Sequence, residues 1–359
     1  MPIDLTIRQI IQDKGYIPID DVMRQVLSDN SNSYYRNIQN IGQHGDFITA
    51  PEVSQLFGEM IALWLITKWQ ALGRPANFCL LELGPGHGTL MQDILRISHD
   101  VMPEMLKSAN ICLYEINPYF VYKQQEKLQQ YNINWINNLD TLPDLPLIII
   151  ANEFFDAMPI KQYIKIGANW QESVMIVDPI SSMIKYSTVG VLDNLHTQFE
   201  IEHPNSSDCA ILEESIETLK IVRLLSRKID KNAGNMLLID YGYYIPPQER
   251  ISTQYLSTLQ AIKNHQYVPI IDYLGEADLS AHVDFYAIEK ASSEYGNFTY
   301  NFSTQGSFLK NYGIDLRAAI LKQKSDRKLH NILDKQLERL TCDQFMGDLF
   351  KVLEITKRS

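Results

Sequence analysis

Short apolar runs alternate with helical segments between residues 78 and 241, and this alternation limits the fold more than any other feature of the chain. Two of the intervening segments, 90–106 and 120–130, have the character of crossover helices. Strands that alternate with helices pair in parallel and carry helices on both faces of the sheet. The pattern therefore predicts an α/β fold with a doubly wound, mostly parallel sheet. Its strand-length runs are 78–83, 111–116, 147–151 and 236–241.

A helix is predicted immediately before this sheet. Thr49 and Glu52 have the spacing of a capping box, and Pro51 is tolerated in a first helical turn, where its missing N–H leaves no bond unmade. Apolar side chains then recur on one helical face from Val53 onward. We expect one helix that begins at Thr49, ends near residue 73 and buries Trp64 and Trp69.

Other segments depart from the alternation and suggest how the chain is organised. Residues 1–45 have apolar side chains at helical spacing and are expected to form a helical lead-in, followed by one main domain over 46–359. Residues 160–235 are expected to form an insertion with a β-hairpin (162–166 with 173–177) and a helix over 212–229. This insertion is a candidate element for partner docking or homodimer formation, and a lid fits as well. Residues 242–285 are rich in loops, and 345–355 are expected to close the sheet as a strand.

The charge balance argues against a broad nucleic-acid surface. The chain of 359 residues carries 32 Lys and Arg against 43 Asp and Glu, a formal charge of −11, and it has no run of basic residues. Negative charge repels a phosphate backbone. We therefore expect no nucleic-acid partner, whereas a cationic partner would be attracted.

Neither membrane insertion nor export is indicated. The longest apolar stretches are far shorter than the roughly 20 residues needed to span a bilayer. Residues 1–15 resemble neither a signal peptide nor a transit peptide, which predicts a cytoplasmic protein of the bacterial type. The four cysteines are far apart and suggest buried thiols rather than a zinc site. They are Cys79, Cys112, Cys209 and Cys342.

A glycine-rich turn links the first strand to its helix. Gly84, Gly86 and Gly88 would let a ligand approach bare backbone, and the free N–H groups of the first helical turn suit an anionic group. A dinucleotide site would require a third glycine at position 89, which is Thr89. A tight turn that binds nothing is the structural alternative.

Two acids near this turn favour S-adenosylmethionine over a dinucleotide. Glu82, just before the turn, would repel a pyrophosphate but suits the ammonium group of a bound amino acid moiety. Glu115 follows the second strand, where a carboxylate can accept hydrogen bonds from both ribose hydroxyls. Considered alone, Glu115 would be an ordinary surface acid at a strand end.

Six motifs follow one another along the chain. They are GDFITAPEVS (45–54), ELGPGHGTL (82–90), ANEFFDA (151–157), DYG (240–242), GEADLSAHVDF (275–285) and TQG (304–306). Taken in this order, they resemble the MidA-like methyltransferases, a family that includes the mitochondrial complex I assembly methyltransferase. The match covers nearly the whole chain from about residue 40, and His87 stands where arginine is most often expected.

The resemblance implies a class I, Rossmann-like methyltransferase that uses S-adenosyl-L-methionine. It also implies symmetric dimethylation of an arginine in a subunit of respiratory NADH dehydrogenase. Two alternatives remain open: a methyltransferase for another protein side chain or a small amine, and a complex-assembly factor that keeps the fold without catalysis.

The segment after the strand 147–151 is the candidate acceptor site. An arginine guanidinium stays protonated and offers no free lone pair, so carboxylates must orient it and take up a proton. Glu153 and Asp156 could provide them at the carboxyl end of a central strand, where such folds bind ligands. Phe154 and Phe155 could exclude water or stack on the guanidinium, and Asn152 would contact the cofactor. The alternatives are a helix cap for Asp156 and ordinary core packing for the phenylalanines.

Further candidates come from the remaining motifs. His282 is a candidate proton acceptor, although a lone histidine is more often a satisfied hydrogen-bonding residue. The acids around it suggest a substrate loop first, strand pairing second and a metal site last, so no metal is expected. The candidate substrate-binding residues outside the central segment are Asp46, Asp240, Tyr241 and Gln305.

Overall fold

The structure, a computed structural model, describes residues 2–29, 49–323 and 326–358. The helices are α1 Ile3–Lys14, α2 Ile19–Arg24, α3 Ala50–Val53, α4 Gln55–Ala71, α5 Thr89–Val101, α6 Pro103–Ser108, α7 Pro118–Lys127, α8 Asp193–Glu202, α9 Ile216–Asn232, α10 Phe285–Ser293, α11 Gln305–Asn311, α12 Ile314–Gln323, α13 Arg327–Thr341 and α14 Met346–Leu349. The strands are β1 Ile17–Pro18, β2 Phe78–Leu83, β3 Ala109–Tyr114, β4 Ile133–Ile136, β5 Leu147–Asn152, β6 Lys161–Ile166, β7 Asn169–Val177, β8 Ile184–Gly190, β9 Ile211–Glu214, β10 Gly234–Tyr243, β11 Gln260–Lys263, β12 Gln266–Val268, β13 Asp278–Ser280, β14 Val283–Asp284, β15 Phe298–Thr304 and β16 Phe350–Lys357.

The chain divides into two compact units. One comprises 1–39, 156–220 and 243–286, and the other comprises 40–155, 221–242 and 287–359, in each case as far as the structure describes them. The second unit contains the glycine-rich turn and most of the candidate site.

The main sheet of the second unit confirms the predicted α/β fold. Its strands lie in the order β4-β3-β2-β5-β10-β16-β15. Neighbouring strands from β4 to β10 are parallel, and β16 runs antiparallel between β10 and β15. Every residue of β2 is buried, because helices cover both faces of a parallel sheet. This arrangement places the carboxyl ends of β2, β3, β5 and β10 at one edge.

The helix predicted from residue 49 is two helices. Ser54 has extended backbone, with φ −162° and ψ 141°, and its hydroxyl accepts a hydrogen bond from the N–H of Leu56 at 3.3 Å, so it caps α4. Thr49 makes no side-chain cap, and Glu52 instead accepts a hydrogen bond from the Thr89 hydroxyl at 2.5 Å. The predicted capping box is therefore wrong, although Trp64 and Trp69 are buried as expected.

Other element boundaries also differ from prediction. The helix predicted over 90–106 is interrupted at Met102, because Pro103 begins the separate helix α6. Residues 211–214 form β9, which pairs with β6, so the predicted helix begins later, at Ile216. The closing strand begins at Phe350 after the short helix α14.

The first unit contains the predicted β-hairpin. β6 and β7 pair antiparallel through Ile166 and Asn169, and β8 extends the sheet on the other side of β7. The lead-in residues Ile3, Ile7 and Ile11 are buried on one face of α1, as their spacing predicts. The prediction of buried thiols is wrong for Cys209, which lies in a loop of this unit and is exposed. It is confirmed for Cys79 and Cys112, which are buried strand residues of the second unit. Among the described helices, none has the length and apolar character to cross a bilayer.

Candidate functional site

The site is built where four parallel strands end together. Leu83 of β2 lies opposite both Tyr114 of β3 and Ala151 of β5, and Asn152 lies opposite Ile239 of β10. The residues that follow these positions therefore emerge at the same edge of the sheet. The sequence predicts a ligand at the carboxyl end of a central strand, and β5 is that strand.

The glycine-rich turn has the backbone conformation that its glycines permit. Gly84, Gly86 and Gly88 have φ values of 61°, 51° and 74°, in the left-handed region that side chains disfavour. A Cβ atom added to Gly84 would lie 2.7 Å from Cδ2 of Phe154, so this glycine is required for packing. A Cβ added to Gly86 would meet no described atom within 4 Å. As far as the described residues show, the space beside Gly86 is open, and a ligand could approach the backbone there.

Glu82 is a buried carboxylate at the end of β2. Its side chain is 2% exposed, and its Oε2 atom has no hydrogen-bond partner among the described residues. Burial, and secondarily the nearby Glu115, raises the pKa of Glu82 to about 8. A buried acid without a partner is costly unless a ligand compensates it. An ammonium group of the cofactor fits this requirement.

Glu115 is held at the end of β3 by its neighbours. One carboxylate oxygen accepts a hydrogen bond from the backbone N–H of Asn117 at 2.8 Å, and the other accepts one from Nε2 of Gln124 at 3.3 Å. Burial is the main cause that raises the pKa of Glu115, and these hydrogen bonds oppose it. The oriented carboxylate suits a diol such as the cofactor ribose.

Glu153 follows β5 and has an unusual backbone. Its φ is 51°, rare for a residue with a side chain, and its N–H donates to the carbonyl of Ile239 at 2.9 Å. Its Oε1 accepts hydrogen bonds from the N–H of Ala50 and from Nδ2 of Asn152, both at 3.1 Å. Glu153 therefore caps the start of α3, a structural role that the sequence did not reveal.

The two phenylalanines and Asp240 form a packed support beneath the turn. Phe154 and Phe155 are 9% and 4% exposed, and their ring centroids are 5.1 Å apart in an edge-to-face arrangement. Asp240 is buried, and its Oδ2 accepts a hydrogen bond from the N–H of Phe155 at 3.0 Å. Tyr241 packs edge-to-face on Phe350. These contacts are structural, and the substrate-binding roles predicted for these residues stay predictions.

Asp156 and His282 both belong to the first unit. The carbonyl of Asp156 accepts a hydrogen bond from the N–H of Ala281 at 2.9 Å, and no helix follows Asp156, so it is not a helix cap. The N–H of His282 donates to the Thr258 hydroxyl at 2.9 Å, and burial lowers the pKa of the imidazole. Their catalytic roles stay predictions.

The remaining predicted residues lie elsewhere. Gln305 is fully buried at the start of α11, where its Nε2 donates to the carbonyl of Leu340 at 2.9 Å. Asp46, with the other residues of the stretch 45–48 that begins the motif 45–54, lies outside the described residues. In the parts of the chain that the structure describes, no group of three or more His, Cys, Asp or Glu side chains is arranged to hold a metal ion.

Two residues that sequence reasoning missed complete the site. Gln124 on α7 contacts the glycine turn and Glu115. Glu52 on α3 accepts a hydrogen bond from Thr89, whose hydroxyl also accepts one from Nζ of Lys127 at 2.7 Å. In the sequence, Gln124 and Glu52 are recognisable only as polar residues near the glycine-rich turn in the predicted fold. Their polar character does not identify their hydrogen-bond partners.

Comparisons with known proteins agree with this geometry. Residues 60–303 match the model of a family described as "Putative S-adenosyl-L-methionine-dependent methyltransferase". A relative from Drosophila melanogaster, "Protein arginine methyltransferase NDUFAF7 homolog, mitochondrial", is 30% identical over 97% of this chain and 83% of its own length. The relative from Homo sapiens, also called a protein arginine methyltransferase, is 30% identical over 95% of this chain and 80% of its own length.

A solved structure shows the same fold. A crystal structure from Burkholderia thailandensis, bound to S-adenosyl-homocysteine, superimposes with a TM-score of 0.84 at 22% identity, and covers 99% of this chain and 92% of that one. Its similarity supports the class I fold of the second unit.

The predicted cytoplasmic localisation is wrong. The curated relatives from Drosophila melanogaster, Xenopus tropicalis and Homo sapiens are all named as mitochondrial proteins. The prediction depended on the composition of residues 1–15, and the composition of a short segment is a weak guide to compartment.

Proposed function

This chain belongs to the S-adenosyl-L-methionine-dependent methyltransferase family, and from that membership we propose that it methylates an arginine side chain of a protein substrate. The proposal rests on the relatives that are named protein arginine methyltransferase. The alignment with the relative from Drosophila melanogaster covers 97% of this chain. We propose symmetric dimethylation of an arginine in a subunit of NADH dehydrogenase, because the relatives bear the name NDUFAF7 and the six motifs resemble the complex I assembly methyltransferase.

The residues around the glycine turn fit the cofactor. S-adenosyl-L-methionine supplies an electrophilic methyl group on a positively charged sulfur when it is bound. Glu82 would hold the ammonium group, Glu115 would accept the ribose hydroxyls, and the open space beside Gly86 would admit the ligand next to the backbone. Each assignment follows from a group whose hydrogen-bonding capacity or surrounding space suits a ligand.

An arginine acceptor makes a further demand on the chain. The guanidinium must be oriented and must lose a proton, because its nitrogens have no free lone pair while it is charged. Glu153, which follows β5, is proposed for this role, and the hydrogen bonds that its Oε1 accepts from the N–H of Ala50 and from Asn152 support the proposal. A carboxylate fixed in this way holds an acceptor with little loss of entropy. The formal charge of −11 also favours association with a basic substrate segment.

Mass spectrometry of labelled substrates tests the proposal. The purified protein is incubated with isotopically labelled S-adenosyl-L-methionine and recombinant NADH dehydrogenase subunits, and fragment spectra locate the label. Label on arginine, lost when that arginine is replaced by lysine, supports the proposal. Label that appears only on lysine, glutamine or a small amine would exclude an arginine acceptor while leaving methyl transfer itself established.

A further inference from the structure

The side chain of Gln124 joins the two segments that are assigned to the cofactor. It lies on α7 and is fully buried. Its Nε2 donates to the carbonyl of Gly86 at 2.7 Å and to Oε2 of Glu115 at 3.3 Å. Its Oε1 accepts a hydrogen bond from Nε1 of Trp135 on β4 at 2.9 Å. One amide therefore connects the turn after β2, the acid after β3 and the strand β4.

The orientation of this amide is determined by its partners. The indole nitrogen of Trp135 can only donate a hydrogen bond, so it selects the amide oxygen of Gln124. The amide nitrogen must then face the Gly86 carbonyl and Glu115, which both accept. All the polar atoms of the buried side chain are thereby used, and a residue that lacks either the donor or the acceptor cannot replace it.

The stem of Gln124 also supports the turn. A Cβ atom added to Gly88 would lie 3.3 Å from Cγ of Gln124, so the backbone of the turn rests on this side chain. Because Gly86 and Glu115 are 29 positions apart in the chain, neither segment determines the position of the other through local structure. Gln124 supplies that connection in the folded protein.

We propose that Gln124 is a positioning residue, which sets the distance between the glycine turn and Glu115 and thereby determines cofactor affinity. It acts through these two segments and not by contact with the reacting atoms. Cofactor affinity does not depend on which acceptor is methylated. Gln124 can therefore fail to have this role while the protein still methylates arginine, and it can have this role even if the acceptor is not arginine.

Two substitutions separate this role from simple packing. Gln124→Met keeps the volume and removes all three hydrogen bonds at any pH. Gln124→Glu keeps the shape of the side chain but replaces the amide donor. The ionised glutamate would face the Gly86 carbonyl with a second acceptor and the Glu115 carboxylate with a like charge, and both contacts are unfavourable. In its protonated form it can donate one hydrogen bond again. A buried acid beside another carboxylate has a raised pKa, so this recovery falls in an accessible pH range.

Several ionisable groups surround this position and must be common to all variants compared. Glu115 faces the amide from the end of β3, and Glu82 lies close to Glu115 at the end of β2. Lys127 is on the same helix, and His87 is in the turn. Each affinity is therefore expressed relative to the unaltered protein at the same pH.

Isothermal titration calorimetry with S-adenosylhomocysteine is the measurement, on the full chain without a methyl acceptor. Loss of a hydrogen bond to a charged group and another to a carbonyl predicts a dissociation constant about 10- to 100-fold higher for Gln124→Met at both pH 6 and pH 8. Gln124→Glu should be weakened to a similar degree at pH 8 and recover most of the loss at pH 6. Gln125→Glu, at an exposed position on the same helix, is the matched control and should bind normally.

Three outcomes decide the matter. A loss for Gln124→Glu that recovers at low pH, together with a pH-independent loss for Gln124→Met, supports the positioning role. Normal affinity in both variants overturns it. Equal losses at both pH values in both variants also overturn it, because the hydrogen-bond donor that returns in protonated Gln124→Glu would then make no difference to cofactor binding. Circular dichroism of each variant establishes that it is folded, and an unfolded Gln124→Met leaves the pH comparison of Gln124→Glu as the deciding measurement.

Discussion

Replacement of Glu82 by glutamine should make the protein more stable above pH 5 while weakening cofactor binding. The carboxyl group is buried at the end of β2, and its Oε2 has no hydrogen-bond partner among the described residues. Its pKa is raised from 4.5 to about 8, first by burial and second by Glu115. A buried, unpartnered carboxyl group lowers the stability of the unliganded fold, and we propose that Glu82 is retained for the ligand.

The sign of the pH dependence follows from proton linkage. Between pH 4.5 and about 8 the unfolded chain has released the Glu82 proton, whereas the folded chain retains it. The folded state binds more protons, so the free energy of unfolding falls as the pH rises. Each pH unit is worth about 1.4 kcal/mol, which gives a loss of about 3 kcal/mol at pH 7 and about 5 kcal/mol above pH 8. Glutamine has no proton to release, so Glu82→Gln removes this dependence.

Urea unfolding at pH 5, 6, 7 and 8 measures this effect. The stability advantage of Glu82→Gln over the unaltered protein should increase across the series, whatever constant offset the new amide introduces. Glu104→Gln, at an exposed position, should show no such increase. A difference that is the same at every pH would refute the argument that Glu82 is protonated in the unliganded fold.

The same residue predicts proton release when the cofactor binds. An ammonium group beside Glu82 favours the ionised carboxylate, so binding of S-adenosylhomocysteine at pH 7 should release a proton from the unaltered protein. Calorimetry in buffers with different ionisation enthalpies measures this release. Glu82→Gln should release fewer protons and bind more weakly; equal release in both proteins would place the ammonium group elsewhere.

Two further substitutions test the turn and the acid after β5. Gly86→Val should abolish binding of S-adenosylhomocysteine in calorimetry, because a branched side chain is strained at φ 51° and would fill the open space beside the turn. Gly313→Val is the control, because this glycine has φ 88° and also has no described atom nearby. It introduces the backbone strain away from the turn and should bind normally. Glu153→Gln keeps an oxygen for the N–H of Ala50, so this variant should bind the cofactor normally. If Glu153 accepts the proton, the substitution should lower turnover in a radiolabel assay by about 100- to 10,000-fold. Unchanged turnover would contradict that role.

The central part of the fold was predictable because its signals are local. The predicted strand at Phe78–Leu83 is confirmed with the same bounds, since a strand covered by helices on both faces is almost entirely apolar, and Glu82 is the one charged residue in it. β4 was not predicted. It lies at the edge of the sheet, and its sequence INWI is only four residues long, with Asn134 as its one polar residue. So short a run cannot be distinguished from a loop by periodicity.

Helix boundaries were less predictable, because they depend on contacts that are distant in sequence. Glu52 has the spacing of a capping box, but its carboxylate accepts a hydrogen bond from Thr89 instead. The start of α3 is capped by Glu153, 103 residues away. A local pattern identifies a residue that can cap a helix, and the fold decides which helix or hydroxyl it contacts.

The sequence by itself determined the alternation of the central strands with helices, the left-handed turn that only glycines adopt readily, and the presence of an acid at the end of each of the first two strands of the parallel sheet. These features depend on side-chain size, backbone freedom and periodicity, which act over a few residues. The tertiary structure alone decided that one oxygen of Glu82 has no partner within residues 2–29, 49–323 and 326–358, that Glu153 caps α3 and that Gln124 joins Gly86 to Glu115. Hydrogen bonds and desolvation depend on which groups are brought together and removed from water, and only the folded chain sets that.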